Sequence, residues 1–95
     1  MAEIDNKFYD RVDEHIHLSN QQLSKGGSKG EVSAAMMYSV ARFNAWISAA
    51  GWNNAKELEE AKEKTIEYFV EEYKKKLTEN LDDYIRNFDH YMKQK

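Results

Sequence analysis

Between Glu31 and Ala50 the chain reads EVSAAMMYSVARFNAWISAA, twenty residues without glycine or proline and apolar or small at nearly every position. A helix with so little polar surface has to be surrounded by its neighbours. In a chain of 95 residues this segment sets the architecture, because everything else must pack around it. At about 100° per residue it presents three faces. Val32, Met36, Ser39, Val40, Phe43, Ile47 and Ala50 form the large-residue stripe. Ala34, Met37, Ala41, Ala45 and Ser48 make a shallower face that a partner backbone can approach, and Tyr38, Arg42, Trp46 and Ala49 line the third.

The flanking segments are helical too. Asp5 is placed to cap a helix over roughly 5–24, on which Phe8, Tyr9, Val12, Ile16, Ser19 and Leu23 share one stripe. It stops at Ser24-Lys25-Gly26-Gly27-Ser28-Lys29-Gly30, whose three glycines suit a turn between helices. Gly51 stands where a C-cap glycine belongs, and Asn54 opens the next helix. From Ala55 to about Met92 nothing interrupts a strongly helical composition, which exposed pairs such as Glu60 with Lys64, Glu71 with Lys75 and Asp82 with Arg86 support.

One straight helix of that length would measure roughly 55 to 60 Å, against a radius of gyration of about 13 Å for a compact domain of this size. Either it breaks and folds back, or its far end packs on something outside the monomer. Leu58, Ile66, Phe69, Tyr73 and Leu77 point one way, and Leu81, Tyr84, Ile85, Phe88 and Met92 about 70° further round. Thr78-Glu79-Asn80 lies at the change, and Asn80 followed by Asp82 and Asp83 resembles a helix start. A kink or break near Thr78 to Asn80 is therefore expected, the alternative being a continuous helix whose stripe drifts. The fold class that follows is all-α: a single domain, residues 1–95, built as a small bundle of three helices with a long third.

Composition narrows the function. At 41% hydrophobic and 33% charged residues the chain can bury enough apolar surface to offset its ordering entropy. Without cysteine it has no disulfide, thiolate nucleophile or cysteine metal site. The start is charged from its third residue, and Arg42 and Asn44 interrupt the longest apolar stretch, so a cytoplasmic protein is expected, with neither secretion nor a membrane span. The net charge is -3, and the first fifty residues hold five basic and six acidic side chains against nine and eleven in the rest. Neither half is a basic face, which disfavours nucleic acid.

Three constellations hold residue types suited to chemistry. Tyr38, Arg42 and Trp46, four residues apart, can set a guanidinium between two aromatic faces as a clamp for a carboxylate or phosphate. The structural alternative is an ion pair from Arg42 to Glu67, Glu71 or Asp13 that holds the helices in register. Glu14 and His17 have the Glu-x-x-His spacing of carboxylate-bridged metal bundles, but a second such unit is missing, so no metal or other cofactor is expected. The Lys74-Lys75-Lys76 run reads as a solvated face, and no nucleophile, acid-base pair or glycine-rich fingerprint stands out.

Val32-Ser33-Ala34-Ala35-Met36-Met37-Tyr38, Ala41-Arg42-Phe43-Asn44-Ala45, Tyr68-Phe69-Val70-Glu71-Glu72-Tyr73 and Glu79-Asn80-Leu81-Asp82-Asp83-Tyr84 together resemble a family of short bacterial proteins, catalogued as domain of unknown function three-one-four-four. The likeness runs from about Phe8 to Tyr91. It implies a small, cytoplasmic, all-helical bacterial protein and carries no established activity onto these residues.

The function expected from all this is a non-enzymatic interaction module with a protein partner or a second copy of itself. Its candidate surface is Leu81, Tyr84, Ile85, Phe88, Tyr91 and Met92, for which the monomer offers little cover. The alternative is a small-molecule binding protein with an anion site at Tyr38, Arg42 and Trp46.

Overall fold

The computed structural model describes residues 5–93, and the described chain is all-α. Its elements in order are α1 (Phe8–Ser24), α2 (Lys29–Ala50), α3 (Ala55–Arg86) and α4 (Phe88–Met92). The chain groups into two compact units that divide between Ile47 and Ser48, inside α2.

In the first unit Asp5 organises the entry to α1 from outside the helix. Its carboxylate accepts the Lys7 N–H at 2.9 Å and Arg11 at 3.1 Å, and its carbonyl accepts the Phe8 N–H at 3.1 Å. The helix therefore starts at Phe8, three residues later than the sequence suggested. At the other end Gly26 adopts a φ of 105°, a conformation that side chains resist. Gly27 is needed for space, since a Cβ there would lie 3.0 Å from Val32 Cγ2 and 3.1 Å from the Gln22 carbonyl oxygen.

Ser28 and Glu31 then close a reciprocal cap. The serine hydroxyl accepts the Glu31 N–H at 3.1 Å, and the glutamate carboxylate accepts the Ser28 N–H at 3.0 Å. This pair starts α2 at Lys29, and the same hydrogen bonds lower the Glu31 carboxyl below its ordinary range, the Ser28 backbone N–H contributing most.

The wrapping expected around α2 is only partly present. Val32 is 8% exposed, Met36 is half-buried, and Ser19 of α1 reaches the Met36 sulfur at 3.9 Å. Further along the same stripe Val40 is 52% exposed, Phe43 60% and Ile47 48%. Cover is deepest next to the glycine turn, where Ser19 and Leu23 of α1 are half-buried too, while Val12 and Ile16 nearer the start of α1 are exposed and Asn44 and Ser48 further along α2 are half-buried. An all-round apolar helix needs cover, but its composition does not require that the cover belong to the same chain.

In the second unit Gly51 N–H bonds the Ser48 carbonyl and Trp52 N–H the Ala49 carbonyl, each at 3.2 Å, which closes α2 with tight turns. Gly51 directly follows the last residue of α2, where the sequence places a C-cap glycine, although it is not in the left-handed region that Gly26 occupies. Asn54 does cap α3, accepting the Glu57 N–H at 2.9 Å while Glu57 accepts the Asn53 N–H at 2.9 Å.

α3 spans 32 residues, about 48 Å, and runs unbroken through Thr78-Glu79-Asn80. The expected break there is corrected. Asn80 turns its side-chain amide back onto the Lys76 carbonyl at 2.7 Å instead of capping a new helix. The interruption falls at Asn87, with φ -118° and ψ 31°. There the Asn87 side chain donates to both the backbone and the carboxylate of Asp83. Hydrogen bonds from Asn87 N–H to Asp83 and from Tyr91 N–H to Asn87 still bridge the change, so α4 continues α3 through a kink.

Among the described residues the expected charge pairs on α3 are not closed. Glu72 instead takes Lys76 at 2.9 Å and Lys75 at 3.7 Å. Exposed ion pairs contribute so little that their partner choice follows local rotamers.

Candidate functional site

Tyr38, Arg42 and Trp46 do stand on one face of α2, as four-residue spacing requires, and all three are exposed. Tyr38 is 71% exposed and Trp46 65%. Trp46 stacks on Phe43 with ring centroids 6.1 Å apart and planes 28° from parallel. Among the described residues Arg42 makes no ion pair, hydrogen bond or ring contact, and Asp13 of the same unit does not clasp it. Arg42 is exposed, so its planar donors are open to a bidentate anion.

The second candidate surface, at the junction of α3 and α4, is more highly organised. Tyr84 and Tyr91 approach with ring centroids at 4.7 Å, and the Tyr91 hydroxyl donates to the Asp83 carboxylate at 2.9 Å. Asp83 also accepts from Asn87 at 2.9 Å. The hydrogen bond to Asp83 and the negative charge behind it hold the Tyr91 phenol above its ordinary pKa of 10.0. Around this polar lock Leu81, Tyr84, Ile85, Phe88, Tyr91 and Met92 are all exposed, Ile85 by 71%.

A third place escaped the sequence reading. Ser48, Trp52, Ala61, Lys64, Thr65, Tyr68 and Phe69 line a shallow groove of about 480 Å³. Thr65 bonds the Ala61 carbonyl at 2.9 Å, and Tyr68 meets Phe69 edge to face at 5.0 Å. The signal lay in the spacing, for Leu58, Ala61, Thr65, Phe69 and Glu72 recur at helical intervals and form the half-buried face of α3. Small and polar members hid it beside the larger residues of the neighbouring stripe.

Glu14, His15 and His17 are exposed, and among the described residues no three histidine or acidic side chains gather as a metal group. No helix of the described chain is long and apolar enough to cross a membrane.

Comparison with known proteins places these features. The profile of a family described as protein of unknown function, DUF3144, matches residues 8–85. The chain belongs to this family. A solved relative, the NMR structure of the protein NB7890A from a Shewanella species, is 38% identical, with a TM-score of 0.78 over 99% of this chain and 100% of that one. No curated protein matches the chain. For this DUF3144 member the geometry offers two exposed arrangements, an aromatic face around Arg42 and a long apolar surface on α3 and α4.

Proposed function

We propose that this DUF3144 protein is a non-enzymatic interaction module that associates with a second copy of itself. The observation that carries the reading is the set Leu81, Tyr84, Ile85, Phe88, Tyr91 and Met92, exposed on rigid helix and held in place by the Asp83, Asn87 and Tyr91 hydrogen bonds. Six side chains of this size at about half exposure present several hundred Å² of apolar surface, at the upper end of what monomers leave open. Val32 is the only buried apolar residue among those described, which supports the same conclusion, since the chain's remaining apolar area gains most from a partner.

Sedimentation equilibrium at micromolar concentration tests it. A dimer that Leu81→Asp converts to monomer supports the reading, and a wild-type monomer at these concentrations refutes it.

That Arg42 makes no ion pair among the described residues favours one second reading, an anionic small molecule held at Tyr38, Arg42 and Trp46. A thermal-shift screen with phosphate and di- and tricarboxylates tests it, because a ligand at a hundred times its Kd adds roughly 2.7 kcal/mol. An anion that raises the Tm of wild type but not of Arg42→Met supports this site. No differential shift removes it.

A further inference from the structure

The apolar residues of α3 outside its half-buried face follow a symmetric pattern. From Ile66 the steps run to Val70, Tyr73, Leu77, Leu81, Tyr84 and Phe88, at intervals of four, three, four, four, three and four. Read from either end the intervals are the same, and Leu77 is the midpoint. The pattern also repeats after eleven residues. Val70-Glu71-Glu72-Tyr73-Lys74-Lys75 is echoed by Leu81-Asp82-Asp83-Tyr84-Ile85-Arg86, each an aliphatic, two acids, a tyrosine, a variable residue and a base. Eleven residues is close to three whole turns, so such a row stays on one side of a straight helix. At 100° per residue all seven fall within an arc of about 80°.

This seam is not the half-buried face of α3. Leu58, Ala61, Thr65, Phe69 and Glu72, the half-buried row, centre about 120° away from it. All seven seam residues are exposed. The helix beneath them is continuous from Ala55 to Arg86, with Phe88 just past the Asn87 kink, where the i to i−4 hydrogen bonds of Asn87 and Tyr91 persist.

We infer that the seam is an isologous dimer interface, in which α3 lies antiparallel to α3 of a second copy on a two-fold axis at Leu77. The inference rests on the self-association proposed above and names its face and direction. About that axis Ile66 meets Phe88 of the second copy, Val70 meets Tyr84, Tyr73 meets Leu81 and Leu77 meets itself. Each aromatic ring is set against an aliphatic side chain, which keeps the layers even in volume. A parallel, in-register pair stacks Tyr73, Tyr84 and Phe88 each on its own copy and leaves Val70 against Val70, alternating thick and thin layers. The area also suits a second copy. Seven half-exposed side chains offer on the order of 700 Å² per chain, close to the roughly 800 Å² per partner of a standard stable interface.

The chain has no cysteine, so single cysteines report neighbours without interference. The experiment combines light scattering on wild type with oxidative cross-linking of Leu77→Cys, Ile66→Cys and Phe88→Cys. The expected result is a wild-type dimer and a Leu77→Cys disulfide dimer. Ile66→Cys and Phe88→Cys should stay uncross-linked when oxidised alone and join to each other when mixed. A dimer in which Ile66→Cys links to itself is parallel, and a dimer in which none of these pairs links uses another face. Either outcome overturns this inference and leaves self-association standing. A wild-type monomer overturns both, whichever residues or other proteins cover the seam.

Discussion

α2 and α3 meet the problem of an apolar helix in opposite ways. Among its 22 residues α2 carries only three charged side chains, Lys29, Glu31 and Arg42, so nothing in its composition distinguishes an inner from an outer side. In α3 seventeen of 32 residues are charged, and they confine the apolar residues to narrow rows. On α2 the covered positions are few, Val32 buried and Met36, Asn44 and Ser48 half-buried, while the large side chains Val40, Phe43 and Ile47 stay exposed. On α3 burial follows angle over the first part of the helix, half-buried on the row from Leu58 to Glu72 and exposed on the next, and beyond Glu72 only Asp83 is half-buried. A charged helix states which surfaces it can spare, whereas an uncharged one states only that it needs company.

The largest test of that contrast places the same substitution in both helices. Val32→Asp puts an unpaired carboxylate into the one buried apolar site of the first unit and should cost about 3 kcal/mol or more, read from urea unfolding followed by circular dichroism. Val70→Asp, exposed in the single chain, should leave the urea unfolding of protein diluted below dimer dissociation unchanged while breaking the seam proposed above. Equal losses at the two positions would break the comparison.

A smaller effect is expected at the turn that concentrates burial near Val32. Gly27→Ala drives a methyl against Val32 and the Gln22 backbone and should cost about 1–3 kcal/mol. Gly26→Ala meets no atom within 4 Å and should cost only its positive φ, about 1–2 kcal/mol. If Gly26 proves the more sensitive, backbone conformation and not packing controls the hairpin.

Two titrations sharpen the comparison further. The folded-state pKa of Glu31 is lowered, so its cap is fully present above the ordinary glutamate range and is lost as pH falls through the lowered value. Wild type should lose helix at the start of α2 in acid, visible in the amide shifts of Ser28 to Val32, and Glu31→Gln should lack that transition. Tyr91 behaves with the opposite sign. Its raised pKa makes the hydrogen bond to Asp83 fully present below pH 10.0, the ordinary value, and lost as pH rises through the raised one. Absorbance titration should show one late-ionising tyrosine that disappears in Tyr91→Phe, with little change in stability. A titration curve unchanged by the substitution would mean the lock at the α3–α4 junction is open.

Much of this was legible from residues alone. The helices, the Asn54 cap and the shared faces follow from local hydrogen bonding and a period of 3.6 residues, which need no knowledge of distant contacts. Boundaries were read less well for local reasons. Asp5 works from outside its helix, Ser28 with Glu31 extends α2 backward, and Asn80 and Asn87 carry the same side chain, yet Asn80 bonds within a continuing helix while Asn87, next to Asp83, bends it. The groove at Trp52, Tyr68 and Phe69 was overlooked because it joins a turn residue to a mixed row on α3 that no single-helix pattern marks as apolar.

What the residues settle unaided is the all-α class, the places where helices begin through their own side-chain caps, and the need of α2 and α3 to hide apolar surface. Short-range geometry decides each of these, so the amino-acid order is sufficient. Tertiary structure alone decides which part of that surface is covered, because cover depends on the spacing of elements far apart in the chain. Hence Val32 is buried and Phe43 is not, and among the described residues Arg42 makes no ion pair.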